Sequence, residues 1–149
     1  MYPFCTIGYV PYSKFWKDSR NNVEYSSIYL TTMQLPCFTT LRSIWYVDNI
    51  KIVPSNIKEF LTPIALAHWI MGDGNKHNEG LHLSVYLFST SDVELLVSAL
   101  TNKFNLTCSL HNTDKGSRIN INKALTDILR PLVVEHFVPT MKYKLGFKN

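Results

Sequence analysis

Apolar and polar residues alternate with a period of two in several stretches of the chain. Leu81, Leu83, Val85 and Leu87 fall on one side, and His82, Ser84 and Tyr86 on the other. This pattern predicts a strand over Gly80–Phe88 with one face buried. Leu106, Cys108 and Leu110 alternate in the same way with Thr107, Ser109 and His111. Ile119 and Ile121 alternate with Arg118, Asn120 and Asn122. Asp114-Lys115-Gly116 stands between these two runs, so Leu106–Leu110 and Arg118–Ile121 are expected to form a hairpin. Nearer the start, Phe4–Val10 and the Tyr-, Ile- and Thr-rich stretch Val23–Thr32 predict two more strands, with a polar turn at 18–22. In the second of these, Tyr25, Ser27, Tyr29 and Thr31 share one side.

Other stretches repeat at three and four. Val93, Leu96, Val97, Leu100 and Phe104 form one stripe, which predicts an amphipathic helix over Ser91–Phe104 with Thr90 or Ser91 as its cap. Leu35-Pro36 opens a predicted helix through Trp45. Asp48-Asn49 is a turn, Lys51–Pro54 an extended piece and Ser55–Phe60 a helical turn. Thr62-Pro63 is a clear helix start, because Thr62 can cap free amides and Pro63 has the φ of a first helical residue. The helix it opens is apolar almost all round and stops at Gly72-Asp73-Gly74. Gly74 there suits a left-handed C-terminal position. A polar loop follows. Lys123–Val134 predicts a helix interrupted near Pro131, and the basic tail from Pro139 predicts a last one. Segregated helices and antiparallel strands indicate an α+β fold.

At 149 residues and 46% hydrophobic content the chain can bury one ordinary core. Its 17% of charged residues is too few for a disordered segment. The net charge of +4 agrees with a polyanionic partner but does not define one. Cys5, Cys37 and Cys108 are odd in number and far apart, which excludes a disulfide framework and points to a reducing compartment. No apolar run is long enough to span a bilayer, so no membrane partner is expected. Met1–Cys5 reads as neither a signal nor a transit sequence, so either the protein works where it is made or an N-terminal part has been lost.

Asp73 stands out chemically. A carboxylate at the C-terminal end of a helix meets the negative end of the macrodipole, which disfavours it by roughly 0.3–1 kcal/mol. Flanking glycines let backbone carbonyls approach the same point, and carboxylate plus carbonyl oxygens suit Mg²⁺ or Ca²⁺. An Asp in a Gly-x-Gly turn is also a common structural feature, so position alone leaves both readings open.

The run Leu66-Ala67-His68-Trp69-Ile70-Met71-Gly72-Asp73-Gly74 resembles the motif of the LAGLIDADG homing endonucleases. Leu35-Pro36-Cys37-Phe38, Ile52-Val53-Pro54, Leu61-Thr62-Pro63, Glu94-Leu95-Leu96, Arg118-Ile119 and Pro139-Thr140-Met141-Lys142-Tyr143-Lys144-Leu145 extend the likeness to the organellar intron-encoded subfamily over most of the chain. The resemblance implies half-domains of helix-strand-strand-helix-strand-strand-helix, with antiparallel sheets carrying helices on one face. Residues 61–149 would be a C-terminal half. Residues 1–60 would be the end of a preceding half without its motif helix.

The same resemblance implies a site-specific DNA endonuclease that hydrolyses phosphodiester bonds with Mg²⁺ or another divalent cation. Asp73 would be the catalytic metal-binding acid, the Gly72 carbonyl a further ligand, and Lys144 the basic helper. The polar sheet residues His82, Ser84, Tyr86, Thr107, Ser109, His111, Arg118 and Asn120, with Lys142 of the tail, would contact nucleic acid. Their donors and acceptors suit a β-ribbon in a major groove, although any wet sheet face is polar. His68 is expected at a packed helix interface, and Tyr12, Phe15 and Trp16 as either core or docking patch.

The chain departs from the family pattern where Val85 and Leu87 replace polar residues, and in lacking an earlier motif helix. The second departure implies weak or absent double-strand cutting by the chain alone, and a partner supplying the missing half. Two rival expectations remain: an intron maturase that binds RNA, or a structural subunit of an organellar RNA–protein complex. Either way the source expected is an organelle, mitochondrion or chloroplast.

Overall fold

The structure is a computed structural model and describes residues 11–114 and 116–147. By its contacts the chain divides into two compact units, Met1–Ile44 and Trp45–Asn149.

In the first unit, β1 (Tyr12–Lys17) and β2 (Glu24–Tyr29) form an antiparallel hairpin, followed by α1 (Pro36–Trp45). The turn is held by Asp18, whose carboxylate accepts from the Arg20 backbone and guanidinium. Cross-strand aromatic pairs stack on one face: Tyr12 with Tyr29 at 5.6 Å and Trp16 with Tyr25 at 6.0 Å. The aromatic cluster is therefore a solvated strand face and not a core, and Phe15 on the opposite face is 74% exposed. The expected strand Phe4–Val10 lies outside the described residues.

The second unit holds the core. A short hairpin of β3 (Tyr46–Val47) and β4 (Ile50–Lys51) turns at Asp48-Asn49, both at positive φ. α2 (Ile57–Phe60) leads to α3 (Pro63–Asp73), β5 (Gly74–His77), β6 (Gly80–Ser84), α4 (Thr90–Phe104), β7 (Ser109–Thr113), β8 (Gly116–Ile121) and α5 (Lys123–Val133). From α3 onward this is helix-strand-strand-helix-strand-strand-helix, as expected. Two 3-10 segments, Val134–His136 and Pro139–Leu145, close the chain. The sheet is antiparallel throughout, in the order β5-β6-β8-β7.

Helices α3, α4 and α5 each begin where a side chain satisfies a free amide. The Thr62 hydroxyl accepts from Ala65 N–H at 3.2 Å and the Asn122 side chain from Leu125 N–H at 3.0 Å. Helix α4 is capped by Ser89, one residue before the expected caps, and Ser89 accepts from Asp92 N–H at 3.2 Å. Asp92 in turn accepts from Val53 N–H at 2.9 Å, tying the segment before α2 to the start of α4. Pro131 is accommodated near the end of α5, which passes into a 3-10 turn after Val133.

Leu66, Ile70, Leu81, Leu83, Leu100, Leu106, Ile119, Ile121 and Leu129 are fully buried. Each such side chain contributes about 1.5–3 kcal/mol of apolar transfer energy. The alternation in β6 and β8 thus sorts residues as the sequence predicts. It fails at the ends. β6 stops at Ser84, and Leu87 lies in a turn, 82% exposed. β7 covers 109–113 and not 106–110; Leu110 shares a face with buried Ile119, but on an edge strand it stays 39% exposed.

Candidate active site and nucleic-acid interface

Helix α3 delivers its last residue, Asp73, to the start of β5 with no loop between them. Asp73 is exposed, and among the described residues its carboxylate has no hydrogen-bond or ion-pair partner. It borders a mostly apolar cleft of about 320 Å³ lined by Trp45, Phe60, Trp69 and Phe88, with Lys51 also on the wall. Gly72 is exposed, and a Cβ there would meet nothing within 4 Å.

Two carbonyls of the same turn are occupied. Gly74 N–H donates to Ile70 O, and the Lys144 ammonium donates to Met71 O at 2.6 Å. Lys144, half-buried in the last 3-10 segment, so places a positive charge at the negative end of α3, where the macrodipole favours it.

Gly74 is not left-handed as expected; its φ is −80° and ψ 142°. Its need for glycine comes from close packing instead, because a Cβ would lie 2.5 Å from Ile70 O.

The register places Asn75 and His77 of β5, His82 and Ser84 of β6, Arg118 and Asn120 of β8, and Ser109, His111 and Thr113 of β7 on one face of the sheet. Leu81, Leu83, Ile119 and Ile121 form the other, buried face. Ser109 and His111 are exposed, and Ser84, Arg118 and Asn120 half-buried. Asn120 donates to Ser109 at 3.2 Å. Arg118 Nε donates to the Tyr86 hydroxyl, and its guanidinium also lies 5.5 Å from the Tyr86 ring centroid.

Three expected contacts are placed differently. Tyr86 lies in the turn after β6 and Thr107 in the segment before β7, so neither is a strand residue. His82 is 6% exposed, covered by His77 stacked at 4.0 Å and His111 edge-on at 5.5 Å. Its outward parity is as predicted, but neighbouring rings shield it. Burial, then His77, lowers the His82 pKa below the ordinary histidine value; a hydrogen bond with Asn120 acts weakly the other way. Lys142 is half-buried in the last 3-10 segment. His68 is exposed on α3, with Nδ1 2.9 Å from Ile64 O.

Sequence reasoning missed Asn75 and His77, because β5 carries no alternating apolar residues. The available signal was Asn78-Glu79, a two-residue turn before Gly80, with Asn78 at φ 52°.

An α+β fold in the order helix-strand-strand-helix-strand-strand-helix, with an apolar helix running into a polar-faced antiparallel sheet, is the architecture of the LAGLIDADG family. Residues 6–129 match the model of the LAGLIDADG DNA endonuclease family, and the chain belongs to that family. It is 34% identical over 132 residues to the cytochrome b mRNA maturase bI2 of Debaryomyces hansenii, covering 86% of this chain and 50% of the relative. It is 31% identical to the intron-encoded endonuclease ai4 of Dictyostelium discoideum, covering 84% of this chain and 80% of the relative. The solved homing endonuclease I-WcaI bound to its DNA recognition sequence superposes with a TM-score of 0.85 at 27% identity, covering 95% of this chain and 66% of that one. The chain thus spans half of the Debaryomyces maturase, and 28% of the related maturase of Saccharomyces cerevisiae. Endonucleases of the family depend on divalent metal.

Proposed function

We propose that the chain is an intron-encoded, organellar DNA endonuclease domain that holds Mg²⁺ or a similar cation at Asp73 and lays its polar sheet face in a DNA groove. One observation carries this reading: the carboxylate ending α3 is exposed and unpaired where the helix field is least favourable to it. A structural acid would be expected to have a compensating donor. The exposed carboxylate and the open backbone at Gly72 fit a hard, oxygen-binding cation. When bound, such an ion lowers the pKa of an attacking water and stabilises the leaving oxygen. The chain's own contribution is to fix Asp73 at the head of β5 and to hold Lys144 two residues upstream on Met71 O.

With residues 1–60 read as the end of a preceding half, Asp73 is one acid of a pair. Selection of bound and cut duplexes from a randomised DNA pool, with Mg²⁺ or Mn²⁺, tests the assignment. Asp73→Asn should retain the bound sequence and lose cutting. Undiminished cutting by Asp73→Asn would remove Asp73 from the site.

The maturase reading has its own support, since relatives at 34% and 37% identity carry that name. Binding to structured intron RNA, equal in Asp73→Ala and in the unaltered chain and tighter than to any selected DNA, would favour it.

A further inference from the structure

The polar face of the sheet carries a histidine cluster contributed by three strands. His77 of β5 stacks on His82 of β6 at 4.0 Å and 15°, and His111 of β7 meets His82 edge-on at 5.5 Å and 70°. His77 and His111 are exposed. His82 is buried beneath them, and its Nε2 is buried with no hydrogen-bond partner among the described residues.

The charges around this cluster are lopsided. Arg118 of β8 lies opposite His111 and acts on His82; the last 3-10 segment, packed against β5 and β6, carries Lys142 and Lys144, of which Lys144 donates to Met71 O, and neither figures among the groups acting on His82. Lys76 of β5 points to the other face. The carboxylates nearest in sequence are Asp73 before β5, Glu79 in the β5–β6 turn and Asp114 in the β7–β8 turn. Glu79 is paired with Lys123, and no carboxylate figures among the groups acting on His82. Stacked rings at this distance also repel once both are protonated. Among the described residues no carboxylate is paired with the cluster, and an external anion would favour its charged form.

We propose that His77 and His111, seated on the buried ring of His82, form a proton-accepting contact for a DNA phosphate, so that DNA binding draws protons from solution. This rests on the reading of the sheet as a DNA-binding surface. Phosphate beside an imidazole raises its pKa in the complex. The added affinity is therefore full below the pKa of the free chain and is lost as pH rises through that of the complex. Each proton taken up changes affinity by up to about tenfold per pH unit between the two values.

The test is binding of the full chain to a labelled mixed-sequence DNA duplex at constant ionic strength, from about pH 8 to about pH 6. Kd should fall at least about tenfold over that span. His77→Gln combined with His111→Gln, both at exposed positions, should flatten the profile. With DNA present, the midpoints of the His77 and His111 ring proton resonances should rise. Salt-dependent binding with a flat pH profile would overturn the proton linkage and leave the DNA reading standing. An unchanged slope in the double variant would also overturn it. No salt-dependent binding at any pH would defeat both readings.

Discussion

The ammonium of Lys144 donates to the backbone carbonyl of Met71, 2.6 Å away and 73 positions earlier in the chain. This bond fastens the basic C-terminal segment to the last turn of α3 and sets a cation against the negative end of that helix. Lys144 is thereby a structural tie as well as the basic helper proposed for the site.

Removing that tie should be measurable apart from catalysis. Lys144→Met leaves the Met71 carbonyl without its donor and should lower stability by about 1 kcal/mol in urea unfolding. Lys144→Arg, which keeps a donor, should recover part of the loss. Unchanged stability in Lys144→Met would mean that the bond contributes nothing in solution.

Glycines on either side of Asp73 should respond oppositely. Gly74→Ala places a methyl 2.5 Å from Ile70 O, a backbone atom that cannot step aside. A loss of about 1–3 kcal/mol is expected, by overpacking. Gly72→Ala meets open space on a helix, so it should be neutral or stabilising by up to about 1 kcal/mol. Equal urea midpoints for the two variants would contradict the packing account of Gly74.

Asp92 serves two segments at once, accepting from the Ser89 hydroxyl at 2.7 Å and from Val53 N–H at 2.9 Å. Asp92→Ala should cost about 1–3 kcal/mol, because it strands the amide of a buried residue. Ser89→Ala, which removes the cap and the bond to the Asp92 carboxylate but leaves the Val53 amide paired, should cost about 1 kcal/mol. Thermal unfolding should rank Asp92→Ala below Ser89→Ala.

The lowered pKa of His82 has a defined sign. In the window between that value and the ordinary 6.5, the unfolded chain binds the proton and the folded chain does not. Stability from this group is therefore present above pH 6.5 and lost as pH falls through the folded value. His82→Leu should flatten the pH dependence of the thermal midpoint in that window. A slope identical to the unaltered chain's would show that His82 does not carry it.

Much of the fold is legible in the chain because burial writes itself into periodicity. The Val93–Phe104 stripe, the Thr62-Pro63 start and the Leu81, Leu83, Ile119 and Ile121 set all appear where the pattern puts them. Leu87 and Leu110 mislead for different reasons: the alternation runs past the end of β6, so Leu87 falls in a turn, and it marks the face of Leu110 without showing that β7 is an edge strand. β5 is invisible because it lies at the sheet edge with Asn, Lys and His in place of apolar residues. His82 shows a further limit. Its parity is readable, yet its burial comes from His77 and His111, which only strand pairing brings together. Asp73 is conspicuous in the sequence for its awkward electrostatic position, a local property that needs no partner.

No residue separates Asp73 from Gly74, where α3 becomes β5. The carboxylate and the strand that bears Asn75 and His77 consequently move as a single lever. A mutation that slides β5 along β6 would drag the acid with it. Evolution could therefore retune what this edge grips only by accepting a matching displacement of the acid.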